Sequence, residues 1–530
     1  MMEYIYDTPT RPPQESAHWQ SLPHREGDTC IVDAQQLCAL LVEQNTKTEI
    51  SMPLWSAVLG YCEALCTGKE VRYNPYPIPI DALQRMVDQE FTPPILTTGE
   101  DNHREAARQV SNWVWAKVVQ KSNVKDEKHA NSLYTVLRGK IDNKSVDCFG
   151  AALVTVVALR QQGYPSMLTL SEDHAYESHG DGETCEVAMP GNTKAQKQKR
   201  GQEIAATFQK ANNNNNSNNN NRKQLSPATS WLYMAGNAVT CHTSALILAA
   251  AIANINCLIE NKSTYEKYSQ PLLVLKRDLL WILKDSGHLD RFPFALCELG
   301  WAEEHATSPR GEARVSIEWD SVSTDVTTME ALYHEAVQSS KTHYKDKQVY
   351  PYCYLGFFHK DGGQHQEEEY RLGLALQFFS EAARVASTYQ YDSGDTLQLT
   401  KVFTKVSEFV VYEILCSNNK PREWHDAGNA VTSARWLIIF FDYLLLWEEQ
   451  SGSDSFVPIC KPNHKTGIAK AFAQLPPEIR QQAFQGCTIQ SRRLQGPLRT
   501  GLEASKPSVS EMHLTILSDS GRRRKRKSPS

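Results

Sequence analysis

The stretch that decides the fold is CFGAALVTVVALRQQGYPSMLTLSEDHAY, residues 148–176. Its first part, residues 148–162, is long and apolar on most faces and is followed by Gly163, which predicts a buried helix of about four turns. The rest reads as short strands, and the turn signal at residues 180–182 predicts a further strand over 184–189. We therefore expect a buried helix followed by a small sheet.

Three residues of this region suggest thiol chemistry. Cys148 begins the predicted helix, where the unsatisfied N–H groups favour a thiolate. His174 is a candidate acceptor for the thiol proton, and Glu186 is a candidate acid to orient the imidazole. The alternative is structural: Cys148 packs as a small buried hydrophobe, His174 is a hydrogen-bonded core histidine and Glu186 is a solvated strand residue.

The order and spacing of these residues resemble the transglutaminase-like and papain-like fold. Cys148 is followed by Ala152, by residues 163–165 (Gly-Tyr-Pro) and by residues 174–176 (His-Ala-Tyr). The fold's pattern is similar: a Cys, a small residue, Gly-x-Pro and His-Ala-Trp. The resemblance implies a domain of this fold, and it leaves activity open because one fold supports many functions.

A longer set of motifs resembles the menin family and extends over about four fifths of the chain. The motifs are SEDHA (171–175), WLYM (231–234), DLLWIL (278–283), GHLDRFP (287–293), KTHYKD (341–346) and YPYCYL (350–355). The resemblance implies a nuclear scaffold without known catalysis. In that family a transglutaminase-like domain and a helical domain with tetratricopeptide-like pairs form a deep central cavity for short peptides.

The resemblance also implies partners and contact residues. The partners are a mixed-lineage leukaemia type of histone methyltransferase, a JunD-like transcription factor and a LEDGF-like chromatin tether. The matching groove positions are Phe149, Asp173, His174, Ala175, Phe292, Phe294, Tyr350, Cys353, Tyr354 and Phe379. Aromatic rings suit a peptide that carries Phe and prolines. Without the resemblance, the same aromatic residues predict ordinary packing between helices.

The sequence departs from the family pattern at several positions, which include Phe294 and Phe379 in place of a methionine and a tryptophan of the pocket. Lys401 and Thr404 stand where familiar members have a pair of glutamates that meet the peptide's arginines. A cation in place of a carboxylate changes attraction to repulsion, which costs about 1–3 kcal/mol at a partly buried interface. Either the natural ligand compensates, or another acid such as Asp395 takes the role. Another departure is Cys148, which stands in place of a serine.

We expect an α+β fold that is predominantly α-helical, with a transglutaminase-like (papain-like) domain followed by a tetratricopeptide-like helical array. The expected segments are a disordered N-terminus (1–24), a helical segment with an extended linker (25–91), the transglutaminase-like domain (92–189), a polar Asn-rich insertion (190–230), the helical array (231–416), a C-terminal helical segment (417–500) and a disordered basic tail (501–530). Within the array, Tyr370, Ala375, Phe379 and Ala382 fit the small–large alternation of a tetratricopeptide pair.

Charge separates the body of the chain from its end. The net charge of the 530 residues is −5, so the body offers no general attraction for nucleic acid. The tail contains the basic run Arg522, Arg523, Arg524, Lys525, Arg526 and Lys527. Such a run predicts a nuclear-import signal or a weak DNA phosphate contact, and the alternative is a solvated terminal charge cluster.

Composition limits the remaining classes. Thirteen cysteines without a signal peptide predict a reducing compartment, and Cys62 with Cys66 lacks the second pair that a zinc site needs. The apolar stretches at 245–259 and 436–447 fall short of a membrane span. We therefore expect no membrane, metal or cofactor.

Three functions remain open. The favoured one is a non-enzymatic nuclear peptide-binding scaffold. The alternatives are a cysteine hydrolase or acyl transferase that uses Cys148 and His174, and a cytosolic tetratricopeptide adaptor.

Overall fold

The structure is a computed structural model of the chain. It describes residues 51–66, 84–85, 87–89, 91–96, 102–116, 148–180, 183–187, 231–259, 267–306, 326–361, 368–389, 397–409, 416–417, 420–421, 425–450, 475–491 and 494. The predicted N-terminal disorder (1–24), Asn-rich insertion (190–230) and basic tail (501–530) lie outside these residues. The described residues are predominantly helical, with one four-stranded sheet and two two-stranded sheets, which confirms the expected predominance of helix.

The chain is divided into two compact units. The sheet unit comprises Glu3–Asn218 and Asn237–Ser339, and the helical unit comprises Met1–Met2, Asn219–Gly236 and Ser340–Ser530. Each unit is described by itself below.

The elements up to residue 305 belong to the sheet unit. They are α1 (Met52–Cys66), α2 (His103–Val114), α3 (Cys148–Gln161), β1 (Met167–Leu170), β2 (Ala175–His179), β3 (Glu183–Cys185), β4 (Val239–Cys241), α4 (Ser244–Ala253), β5 (Leu258–Ile259), β6 (Lys267–Tyr268), α5 (Gln270–Asp285) and α6 (Pro293–His305). The next helix, α7 (Val326–His343), begins in the sheet unit and ends in the helical unit.

The later elements belong to the helical unit. They are α8 (Tyr350–Asp361), α9 (Glu368–Ala386), α10 (Leu397–Phe409), β7 (Cys416–Ser417), β8 (Lys420–Pro421), α11 (Ala427–Gln450) and α12 (Pro477–Phe484).

Helix α3 is the core of the sheet unit, as the sequence predicts. Every residue from Phe149 to Leu159 is buried, because this Ala- and Val-rich segment has no polar face to turn to solvent. The helix ends at Gln161 and is followed by Gly163, whose φ of +84° is a left-handed conformation that glycine adopts without steric cost. The amide of Tyr164 donates to the Leu159 carbonyl at 3.0 Å and closes this end.

The sheet beside α3 has strand order β3-β2-β1-β4, and all its neighbours are antiparallel. Leu168 of β1 pairs with Glu177 of β2 and with Cys241 of β4. The expected strand over 184–189 is present as the shorter β3, Glu183–Cys185. Burial of all five residues of β2 shows that both faces of this strand are covered.

Close helix packing in the helical unit depends on glycines. A Cβ on Gly356 of α8 would stand 2.5 Å from the ring of Phe379 on α9, so only glycine admits that ring without movement. Ala375, Phe379 and Ala382 are all buried, as the small–large pattern predicts, whereas Tyr370 is an exposed aromatic.

One described helix is long and apolar enough to cross a membrane by length and composition, namely Ala427–Glu449 within α11. The sequence expectation took only residues 436–447 as the apolar stretch and judged it too short for a span. Sixty-one per cent of its apolar window is buried inside the protein. Its packing against α9 and α12 is that of a core helix.

Candidate functional site

The three candidate thiol-chemistry residues meet in the sheet unit. Cys148 is the first residue of α3, His174 directly precedes β2, and Glu186 directly follows β3. Antiparallel pairing of β2 with β3 brings the last two together, and Nε2 of His174 lies 3.0 Å from Oε2 of Glu186. The Cys148 side chain lies close enough to His174 to raise the pKa of its imidazole. The sequence therefore identified a set of residues that the fold assembles.

The structure corrects one part of the structural alternative. Glu186 is not a solvated strand residue, because its side chain is buried and holds the His174 ring. His174 is a hydrogen-bonded core histidine, as that alternative predicts. Cys148 is half-buried, whereas Cys185 and Cys241 are fully buried. The thiol at the helix start is thus more accessible than these two.

Electrostatics in this site favour a charged imidazole. Burial is the largest single influence on His174 and opposes its charge, but the nearby Glu186 carboxylate and the Cys148 group together outweigh it. The pKa of His174 is therefore raised well above its usual range. Burial, with the charge of Glu186, also raises the pKa of Tyr176. An imidazole fixed in this way can hold a proton beside a thiol.

Most of the predicted peptide-contact residues of the sheet unit are buried. Phe149, Ala175 and Phe292 are buried, and Phe292 exposes no surface. Asp173 and Phe294 are half-buried. A fully buried ring meets a ligand only after a neighbour moves, so the half-buried pair is the more accessible part of this group.

The predicted contacts of the helical unit are likewise well packed. Tyr350, Cys353 and Tyr354 lie on α8, and all three are buried. The Tyr350 ring packs edge-on against Trp231 with centroids 6.0 Å apart. Phe379 on α9 is fully buried. Tyr354 keeps a small exposed fraction, which makes it the most accessible of these four side chains.

Two of the departures from the family pattern lie on α10 of the helical unit. Lys401 is exposed and Thr404 is half-buried, three positions further along the same helix. Residues three apart share a helix face, so both side chains face the same direction. Asp395, the alternative acid, lies outside the described residues.

A family model described as Menin matches residues 82–487 of the chain. The chain belongs to the menin family. The fold agrees, since the structure is similar to that in "Crystal structure of menin reveals the binding site for Mixed Lineage Leukemia (MLL) protein". The TM-score is 0.68 at 24% identity, and the match covers 93% of this chain and 100% of that chain. The menin resemblance inferred from the motifs is confirmed.

One cluster escaped the sequence analysis of this menin-family chain. His103, Glu177 and His179 converge in the sheet unit. His103 is 74 positions from Glu177, so only the tertiary fold brings them together. The available signal was the i, i+2 spacing of Glu177 and His179, which places both on one face of a strand.

Proposed function

We propose that this menin-family chain is a non-enzymatic nuclear scaffold that binds short peptide motifs of chromatin regulators and so regulates transcription and histone methylation. The supporting observation is the family match over residues 82–487, which includes both groups of predicted contact residues. The similar crystal structure is described as revealing the binding site for the MLL protein. An MLL-type histone methyltransferase is accordingly the first proposed partner. JunD-like factors and a LEDGF-like tether are further proposed partners.

We also propose the finer fold assignments. The buried helix α3 followed by β1, β2 and β3, with Cys148, His174 and Glu186 in contact, supports a transglutaminase-like domain. The fit of Phe379 against Gly356 supports a tetratricopeptide-like pairing of α8 with α9. Both arrangements provide rigid elements on which a peptide site is held.

The charge on α10 defines what the ligand carries. Lys401 is exposed, so it repels a peptide arginine placed beside it. We propose that the natural ligand has a neutral or acidic residue at that point, while its apolar residues meet Tyr354 in the same unit.

Calorimetric titration with an Arg-x-Arg-Phe-Pro-Ala-Arg-Pro type peptide tests this proposal. Lys401→Glu should tighten binding of this arginine-rich peptide by about tenfold, the effect of removing roughly 1.4 kcal/mol of repulsion. The matched control is Lys345→Glu, which makes the same charge change at an exposed position between α7 and α8.

Tyr354→Phe should weaken the binding. Tyr350 is a poor target, because its buried ring supports Trp231 and its truncation would disturb the fold. Absence of saturable binding by both the parent and Lys401→Glu would refute peptide recognition of this kind. Equal tightening by Lys345→Glu would refute the role of Lys401.

A second candidate function is a cysteine hydrolase or acyl transferase, and it is favoured by the contact of Cys148, His174 and Glu186. In this reaction the Cys148 thiol has already passed its proton to His174, whose raised pKa favours the charged imidazole, and the sulfur then attacks a carbonyl carbon. The carbonyl electron pair moves to oxygen and then returns, expelling an amine that takes the proton from His174. Water or a second amine then cleaves the thioester.

Cysteine alkylation with iodoacetamide, followed by peptide mass mapping, distinguishes the two functions. A catalytic Cys148 thiol would be alkylated far faster than the other cysteines, and His174→Ala would lower its alkylation rate to theirs. Slow alkylation of Cys148 in both the parent and His174→Ala would argue against the hydrolase and for the scaffold. The control is Cys487, which is half-buried like Cys148 and whose pKa burial raises to about 11.

Cellular location tests the nuclear part of the proposal. Deleting residues 522–527 should abolish nuclear accumulation of the tagged protein, because this run is the candidate import signal. A cytosolic location of the intact chain would instead support the tetratricopeptide adaptor.

A further inference from the structure

A polar cluster in the sheet unit joins α2 to β2. His103 is the first residue of α2, and Glu177 and His179 lie two apart on β2. Nε2 of His103 is 2.9 Å from Oε1 of Glu177, and Nδ1 of His179 is 3.0 Å from Oε2 of the same carboxylate. One possible ligand atom from each residue lies within 4.8 Å of the others. The three groups are therefore close enough to share one ion.

Glu177 needs positive charge at this place. Its residue exposure is 0%, and a buried carboxylate without a counter-charge is strongly destabilising. Among the described residues its side-chain partners are the two imidazoles and the Ser166 hydroxyl, which donates to Oε1 at 2.8 Å. An imidazole supplies charge only when it takes up a proton. A divalent cation supplies that charge directly.

Glu183 and Ser166 contact the residues of the cluster in the way that neighbouring groups support metal ligands. Oε2 of Glu183 is 3.1 Å from Nε2 of His179, an ion-pair contact that lacks hydrogen-bond alignment and leaves this buried nitrogen without a hydrogen-bond partner. A metal-bound imidazole commonly gives its second N–H to a carboxylate, and a ligating carboxylate is itself hydrogen-bonded. Glu183 and Ser166 stand where these two supporting roles are required.

We propose that His103, Glu177 and His179 form a binding site for one zinc ion. Two imidazole nitrogens and one carboxylate oxygen are a donor set that zinc uses, with a fourth position left for water or another ligand. This proposal differs from the sequence-based expectation of no metal. It is separate from the peptide contacts and does not depend on the proposed scaffold function.

Binding requires one ring to turn. The His103 and His179 rings are stacked, with centroids 4.0 Å apart and planes 7° from parallel. The nitrogen lone pairs of the two rings lie in two separate parallel planes, so both cannot point directly at one ion. The His103 side chain is 13% exposed against 5% for His179, so His103 has more room to turn. Zinc would therefore open the stack and fix the start of α2 against β2.

The test is titration of the chelator-stripped full chain with Zn²⁺ by calorimetry, and with Co²⁺ as a spectroscopic probe. We expect about one ion per chain at this site, with tetrahedral Co²⁺ absorption and no thiolate-to-cobalt charge-transfer band. That band separates the site from binding by the thirteen cysteines. Zn²⁺ should also raise the thermal midpoint, because a ligand that binds only the folded state stabilises it.

His103→Asn should abolish this binding. The matched control is His334→Asn, which changes an exposed histidine of α7 and should bind as the parent does. Glu177→Gln is a second variant, and His103→Asn decides the matter if Glu177→Gln does not fold. The proposal is overturned by absence of binding, by a thiolate band at the first equivalent, or by undiminished binding in His103→Asn.

Discussion

The contact between Gly356 and Phe379 gives a prediction whose size follows from the geometry. Gly356→Ala places a Cβ 2.5 Å from the Phe379 ring, and ordinary contact begins near 3.4 Å. The ring must therefore retreat by about 0.9 Å. Phe357 and Phe409 pack edge-on against it, with centroids 5.0 and 5.8 Å away, so there is little free space to enter.

Two opposing effects set the free-energy change. Overpacking of this kind costs about 1–3 kcal/mol, and alanine gains up to about 1 kcal/mol over glycine inside a helix. We expect Gly356→Ala to lower the free energy of unfolding by about 1–2 kcal/mol. Urea denaturation, followed by circular dichroism, measures the change in midpoint.

Gly373→Ala is the matched control on α9. Its Cβ would stand 3.2 Å from Oγ of Ser433, a hydroxyl without a hydrogen-bond partner that can rotate away. This variant should be neutral or slightly stabilising. Adding Phe379→Leu to Gly356→Ala should relieve part of the clash, because the shorter side chain frees the space. The reasoning is refuted if Gly356→Ala is as stable as the parent, or if Gly356→Ala and Gly373→Ala lower the free energy of unfolding equally.

Three further predictions concern the sheet unit. Glu186→Gln should lower the free energy of unfolding most near pH 6, where His174 is protonated. The difference in stability from the parent should become smaller as pH rises through the raised pKa of His174, because a histidine with a raised folded-state pKa stabilises the fold only while it is protonated. Urea denaturation midpoints at several pH values measure this difference. Thr243→Ala removes the hydroxyl that accepts from the Leu246 amide at the start of α4, and should cost about 0.5–2 kcal/mol in urea denaturation, whereas Thr243→Ser should restore it. Lys276→Met leaves buried Glu298 without its ion pair and should cost about 3–5 kcal/mol, and adding Glu298→Gln should recover much of the loss in the same assay.

Local pattern was sufficient for the elements around the thiol. The uninterrupted apolar run identified α3, and Gly163 marked its end. Both signals depend only on residues that are adjacent in the sequence. The motifs identified the menin family, which the family match confirms. The apolar stretch at 436–447 was expected to fall short of a membrane span, whereas the helix that contains it, α11, is long and apolar enough over Ala427–Glu449.

Side-chain environments were harder to predict. Glu186 was open to interpretation as a solvated residue, since a lone acid in a strand is usually exposed. Its burial beside His174 depends on the pairing of β2 with β3. Phe292 and Phe379 were expected at a ligand surface, yet each is fully buried within its own unit.

The sequence by itself determined the family, the helical character and the residue types available for thiol chemistry, because these follow from composition, periodicity and local motifs. Only the tertiary structure decided that Glu186 holds His174, that Gly356 admits the Phe379 ring, and that His103 meets Glu177. The physical reason is distance along the chain. Contacts between remote segments depend on strand register and helix packing, and no short window of sequence contains either.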